Sequence, residues 1–403
     1  MLKYACRKGW MDILKKGRIY NIAFATGSRA DYGIVRKYLS LLDEDSGTHL
    51  EILVTGALLS EEYGRQVALI EQDGFQIGKE VMIPVNAKDN TAVIHTMAFA
   101  LDEFGKMFET QRYDLLILLG DRYEIFSVAT AAAMQRIPVL HIHGGEITYG
   151  NYDEFIRHSI TKMADFHFAS TEKYRHRLIQ MGENPECVYN LGALGAENCL
   201  AINMLNVPDD IKKLSQNEYF VVLFHPETLT GERPIHQIKT IVAALEHFAG
   251  KQFVFIGSNA DTASNEIREY IQQYAKVREN AFYYENIHSD AYHYLLKNAV
   301  CLVGNSSSGI IEAPSLGTWS INIGRRQEGR EKGKSVIDVE CNLMEIVGAI
   351  KGILHDTASD MVFYNPYYQK DTAEHYFSCT MQILDRLRKS RRDGAKVFYD
   401  VEF

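Results

Sequence analysis

The 403-residue sequence lacks several features that would assign it to other classes. It has no apolar run long enough to span a membrane. Its start, "MLKYACRKGWMDILKKGR", is basic but lacks the continuous apolar segment of a signal peptide. Residues 1–18 therefore read as a short extension ahead of the first strand. Positive charge is in deficit: 43 Lys and Arg against 52 Asp and Glu leave a net charge of −9. Nucleic acid and anionic membrane need a basic patch, so both are disfavoured as partners. An anionic small substrate is compatible if a few placed arginines meet its charge. The six cysteines, Cys6, Cys187, Cys199, Cys301, Cys341 and Cys379, form no CxxC pair and no metal-ligand spacing. That pattern predicts a reduced, cytoplasmic chain with mostly buried thiols and no metal. No GxGxxG fingerprint follows the first strand, which disfavours a nicotinamide cofactor.

What the sequence does have is short apolar runs alternating with helical patterns. Residues 19–28, 50–56, 114–120, 137–145 and 165–171 read as strands ending in polar or glycine-containing turns. Continuous apolar runs suit strands covered on both faces, as in a parallel sheet. Helix candidates such as 32–42 and 123–136 lie between them, giving βαβ repetition. The pattern restarts with strands at 218–226, 251–259, 298–309 and 317–324, separated by helices "HQIKTIVAALEHFA" and "SNEIREYIQQYAK". The polar segment 201–217 suits a linker. The prediction is an α/β chain of two Rossmann-like, doubly wound domains, 19–200 and 201–374, facing a cleft. In such sheets the ligand lies beyond the carboxyl ends of the strands.

The residues at those ends carry the chemistry. "GSRADYG" (27–33) puts Arg29 ahead of a helix whose N-terminus favours an anion. "DRYE" (121–124) gives Asp121 and Glu124 the spacing of a capping box, so a purely structural cap competes with a site role. "HIHGGEITYGNYDEFIRH" (141–158) is the densest stretch. His141 and His143 alternate on a strand end and share a face, and two glycines then present Glu146. Asp153 heads the next helix, where it can cap and can pair with Arg157; Glu154 and His158 form a second such pair. Cores cannot bury that many ionisable groups unpaired, so the cluster points to acid/base work. In the second half, His225, Asn259 and Asp261 stand at strand ends. "VGNSSSGIIEAPSLG" (303–317) ends a strand in hydroxyls, so that Ser306, Ser307 and backbone N–H groups can cradle a diphosphate, with Glu312 beyond. "GRRQEGR" (324–330) offers Arg325 or Arg326 to phosphate. A nucleotide sugar across the cleft fits both halves.

Together, "GSRADYG", "GDRYE", "HIHGGE" with "DEFIRHSITKM", "FHPET", "GNSSSGIIEAPS" and "GRRQEGR" resemble the hydrolysing UDP-N-acetylglucosamine 2-epimerases of sialic acid synthesis, of the bacterial NeuC type. The resemblance implies a GT-B arrangement in which a C-terminal helix, within 375–403, returns to the first domain. It also implies elimination of UDP to a 2-acetamidoglucal and hydration to N-acetylmannosamine, without cofactor or metal, by a homodimer. It carries Asp121 and Asp153 over to the site, and with His143, Glu146 and Arg157 of the same cluster they are the catalytic candidates. Arg29, Arg122, His225, Asn259, Asp261, Ile287, Ser306, Ser307, Glu312 and Arg326 fall to substrate binding. Many relatives read HIEGGE where this chain reads HIHGGE, so either His143 acts as the base or Glu146 does while His143 orients it. UDP-N,N′-diacetylbacillosamine as substrate, or a GT-B glycosyltransferase, are the alternatives.

Overall fold

The computed structural model describes residues 19–61, 64–85, 89–148, 153–227, 233–257, 264–355, 363–389 and 396–402. Thirteen strands among them form two parallel sheets. The first contains β1 (Tyr20–Thr26), β2 (Thr48–Thr55), β3 (Ile77–Val81), β4 (Leu115–Leu119), β5 (Val139–Ile142), β6 (Phe166–Ala169) and β7 (Val188–Asn190), in the order β3-β2-β1-β4-β5-β6-β7. The second contains β8 (Tyr219–Leu223), β9 (Gln252–Ile256), β10 (Ala281–Tyr284), β11 (Cys301–Gly304), β12 (Trp319–Ile323) and β13 (Val336–Val339), in the order β10-β9-β8-β11-β12-β13. Both orders reverse after the first strand of the set, between β1 and β4 and between β8 and β11. Each reversal opens a crevice beyond the strand ends.

The apolar runs are explained by burial on two faces. In β4, Leu115, Ile117 and Leu119 join one core with Ile22 and Phe24 of β1. Leu116 and Leu118 join the other, with Ala23 and Ala25. The second sheet repeats this: Phe220 and Val222 of β8 face one way, Tyr219, Val221 and Leu223 the other. The fold is therefore the predicted pair of doubly wound α/β layers. The four strands that the sequence reading passed over, β3, β7, β10 and β13, are the four sheet edges. Their residues are largely half-buried, so they carry no continuous apolar run. Segment 201–217 does more than link: its short helix Asp209–Leu214 buries Ile211 and Leu214, with Val207, in the second core.

The last helix, Thr372–Lys389, packs on the first sheet. Ala373, Tyr376, Cys379, Ile383 and Leu384 lie in the same core as β1, and the Tyr38 and Thr380 hydroxyls meet at 2.7 Å. A smaller apolar cluster joins the domains, with Tyr174, Leu178 and Ala196 against Ile310, Ile311 and Tyr367. No helix of the described residues is long and apolar enough to cross a membrane.

Candidate active site

The two switch points supply the site. After β1, the helix Arg29–Asp43 starts with Ser28 as its cap: the Ser28 hydroxyl accepts from the Asp31 N–H at 3.2 Å and donates to the Asp31 carboxylate at 2.7 Å. Arg29 heads that helix, and burial lowers the proton affinity of its guanidinium. Among the described residues no carboxylate pairs with it, which suits a bound anion. After β4 comes Asp121, and the capping-box expectation fails here. The helix Tyr123–Met134 has Arg122 at its cap position and no side-chain cap. Asp121 instead accepts from Arg157, while the buried Glu124 takes the Arg122 guanidinium. A Cβ on Gly27 would lie 2.5 Å from Glu124 Oε1, so any larger residue there would have to push that carboxylate aside.

His141 and His143 do not share one environment, as strand alternation predicted. β5 ends at Ile142, and His143 takes the left-handed region with φ of 66°. Such a conformation is uncommon outside glycine and marks a constrained position. His141 is fully buried: its Nε2 lies 2.8 Å from the Gly120 carbonyl oxygen and its Nδ1 3.1 Å from the Thr161 hydroxyl. Nε2–H must donate to the carbonyl, so Nδ1 accepts from Thr161. Burial pushes the His141 pKa down to about 3, and the ring stays neutral as a structural strut. His143 is also held below the ordinary histidine range, by burial first, against the pull of Glu146. Its Nδ1 lies 3.6 Å from Glu146 Oε1, whereas its buried Nε2 has no hydrogen-bond partner.

The helix Asp153–Met163 begins at Asp153 itself. Arg157 on that helix donates not to Asp153 but to Glu154 at 3.0 Å, Thr148 Oγ1 at 2.8 Å, the Glu146 carbonyl oxygen at 2.9 Å and Asp121. Glu154 also meets His158 at 3.1 Å, as predicted. The result is a pair of aspartates with opposite behaviour. Burial disfavours charge on Asp121, but Arg157 and then Arg330 outweigh it and hold the carboxyl below its usual range. Asp153 is pushed up to about 7 by burial and by the Asp121 charge, against the pull of Arg326, Arg157 and Arg122. Asp31 is pushed up to about 6 by burial, which outweighs Arg122.

The second domain's wall is built differently. A Cβ on Gly304, at the end of β11, would sit 1.9 Å from the Leu223 carbonyl oxygen, so only glycine lets β11 and β8 meet so closely. The buried Asn305 side chain then pairs with the His225 backbone, accepting from its N–H at 2.7 Å and donating to its carbonyl at 2.9 Å. Ser306 and Ser308 hydroxyls meet at 3.0 Å, and Tyr292 reaches Ser308 at 2.6 Å. Ser307 precedes a short helical turn without a side-chain cap bond, and the turn leads to Glu312, whose carboxylate lies 3.6 Å from His293. Glu227 accepts from the backbone N–H groups of Arg325 at 2.9 Å and Arg326 at 2.8 Å. Arg326 Nη1 donates to the Asn305 carbonyl at 3.2 Å. Ile287 follows the edge strand β10, half-buried against the domain core, and takes no part in this polar network. Asn259 and Asp261 lie outside the described residues.

The domains meet through charge. Arg330 Nη2 of the second domain is 3.1 Å from Glu146 Oε2 of the first. Glu146 is also held by the Ser170 hydroxyl at 2.7 Å, and Arg330, His143 and Arg157 keep it ionised despite burial. Sequence reasoning stopped at Arg325 and Arg326 and missed Arg330. It also missed Asp31 and Glu227, both inside quoted motifs but with no spacing to mark them, and it read Glu124 as a cap partner where the structure pairs it with Arg122. Among the described residues no group of His, Cys, Asp and Glu is arranged to hold a metal ion.

A profile of the family described as UDP-N-acetylglucosamine 2-epimerase matches residues 40–379. The polysialic acid biosynthesis protein P7 of Escherichia coli is 44% identical over 387 residues, covering 94% of this chain and 97% of that protein. The GDP/UDP-N,N′-diacetylbacillosamine 2-epimerase (hydrolyzing) of Campylobacter jejuni is 37% identical over 325 residues, 80% of this chain and 84% of its own. The solved UDP-GlcNAc 2-epimerase of Neisseria meningitidis, bound to UDP-GlcNAc, aligns with a TM-score of 0.75 over 90% of this chain and 100% of that one. At 17% identity that last likeness speaks for the fold.

Proposed function

The chain belongs to the UDP-N-acetylglucosamine 2-epimerase family, and we propose that it is a hydrolysing member acting on UDP-N-acetylglucosamine for sialic acid synthesis. UDP leaves across C1–C2 to give a 2-acetamidoglucal, and water adds to give N-acetylmannosamine and free UDP. The observation that carries this reading is the Asp121–Asp153 pair. Two neighbouring carboxyls driven apart in proton affinity are how one site holds an anion and an acid together. Asp121, kept ionised by Arg157, stabilises positive charge at C1 as the glycosyl bond opens. His143 enters neutral and offers Nε2 as the base that takes the C2 proton, with Glu146 on Nδ1 orienting the ring. Asp153, protonated up to about pH 7, returns a proton to C2 from the opposite face. Arg29, Arg326, Ser306 and Ser307 take up the charge of the departing diphosphate, and His225 and Glu312 hold the nucleotide side.

This division gives Asp121, His143, Glu146, Asp153 and Arg157 to the chemistry. The polysialic acid relative supports this substrate; the Campylobacter relative supports UDP-N,N′-diacetylbacillosamine as the second reading. Among the described residues, free thiols at Cys187, Cys199, Cys301 and Cys379 are in keeping with a cytoplasmic enzyme, and we expect a homodimer, measurable by light scattering. The test is chromatographic identification of products from each nucleotide sugar. Free UDP with N-acetylmannosamine supports the proposal. UDP-N-acetylmannosamine without UDP removes the hydrolytic step, and turnover of the bacillosamine sugar alone moves the substrate.

A further inference from the structure

Arg330 stands outside the phosphate-binding set and outside the acid/base set, yet it shares a loop with Arg326 of the first and touches Glu146 of the second. It ends the loop 324–330, whose earlier residues are pinned to the second domain by Glu227 and by the Asn305 carbonyl. From that anchor its guanidinium crosses to Glu146, with side chains only 10% and 2% exposed. The crossing is fixed on the far side as well. The Glu331 N–H donates to the Tyr174 hydroxyl at 2.8 Å, Tyr174 and Tyr367 hydroxyls meet at 2.9 Å, and Tyr367 donates to the Glu331 carbonyl at 3.0 Å. Glu146 is thereby gripped by Arg330 on one oxygen and by Ser170 on the other, the oxygen that faces His143 Nδ1.

We propose that Arg330 is a positioning residue: through it the nucleotide-holding domain locks Glu146 against His143, so the proton-transfer pair is assembled only when the 324–330 loop is seated. A buried carboxylate stripped of its arginine partner loses both its charge balance and its fixed orientation. The inference deepens the proposed function and rests on it for its kinetic readout.

Four charged groups surround His143 in the first and second domains. Glu146 and Asp121 favour the imidazolium, while Arg330 and Arg157 oppose it. Removing Arg330 therefore leaves two acids facing one arginine, and His143 takes up a proton more readily.

The test uses the full chain with Arg330→Gln and Arg330→Lys. For Arg330→Gln, kcat falls about 100-fold, the scale of a disabled acid/base group. UDP affinity by calorimetry stays within about threefold, and the acidic limb of the kcat/KM profile moves to higher pH. Arg330→Lys recovers part of kcat. Arg330→Gln combined with Glu146→Gln adds little to either single loss. The proposal is overturned if kcat holds, if weakened UDP binding accounts for the whole loss, or if the acidic limb does not move. Should the wild type turn over neither nucleotide sugar, the functional reading fails by itself. NMR titration of the His143 imidazole then decides the Arg330 claim without turnover: a higher midpoint in Arg330→Gln supports it and an unchanged one overturns it. If Arg330→Gln does not fold, Glu146→Gln decides it: removing an acid that favours the imidazolium should lower both kcat and the His143 midpoint, and a variant in which neither changes overturns the proposal.

Discussion

The two halves of the site sit on sheets of the same strand order, yet they are built from opposite materials. The first domain's wall is side-chain charge: Asp121, Arg157, Glu154, Glu146 and His143 are linked in one network around the buried Arg157 and Glu146. The second domain's wall relies more on neutral groups: an asparagine side chain mimicking a strand partner and a run of hydroxyls, with the Glu227 carboxylate on two backbone N–H groups and the Arg326 guanidinium on the Asn305 carbonyl beside them. Binding a diphosphate needs donors that stay put at every pH, which amides and hydroxyls provide. Moving a proton on and off carbon needs groups whose proton affinities are pulled apart, and only buried charges do that. Function here lies in what the strand-end loops carry, since the scaffold is duplicated.

That contrast can be broken one residue at a time. Asp153→Asn is expected to lower turnover by about two or more orders of magnitude while UDP binding stays within a few-fold; unchanged product release would remove Asp153 from the chemistry. Arg326→Ala is the mirror experiment. UDP affinity should weaken about 10- to 100-fold, the worth of a charge-assisted contact, with a smaller change in kcat. Calorimetry that finds normal UDP affinity puts this arginine outside the site. Ser306→Ala should weaken UDP about 2- to 10-fold, as one neutral hydrogen bond does, without moving the pH profile.

The pH profile sharpens the same distinction. Asp153 must be protonated to donate, so kcat/KM should decline above about pH 7. Asp153→Asn should lose that alkaline limb, and a limb that persists would belong to another group. The stability sign is opposite to a salt-bridged acid. The folded pKa of Asp153 lies above its unfolded value of 3.8, so ionising it costs folding free energy, fully so above about pH 7. Asp153→Asn should therefore melt higher than wild type at pH 8, with the gain shrinking as pH falls towards 4.

The fold was legible because central strands of a doubly wound sheet are apolar on both faces, as in "DLLILL" and "FVVLF". The four edge strands were not, because an exposed face breaks the run. The acid/base stretch could be located from its density of ionisable groups, and the helix at Asp153 was read at its observed bounds. Contact partners were another matter. The spacing in "DRYE" suggested a cap, but a buried arginine 36 residues on claims Asp121 instead. Strand alternation put His141 and His143 together, and a single positive φ at His143 gave the two rings separate surroundings. Arg330 could not be told from its neighbours in "GRRQEGR", since its partner comes from the other domain. Asn259 and Asp261 lie outside the described residues, so their part rests on the sequence.

The measurement that tests the account most directly is proton NMR of the enzyme turning over UDP-N-acetylglucosamine in deuterated water. The account predicts free UDP together with N-acetylmannosamine carrying deuterium at C2, because one group removes the C2 proton and another returns one from solvent. N-acetylmannosamine that keeps its original C2 proton would contradict it, since the epimerisation would then not pass through His143 and Asp153 as two separate proton carriers.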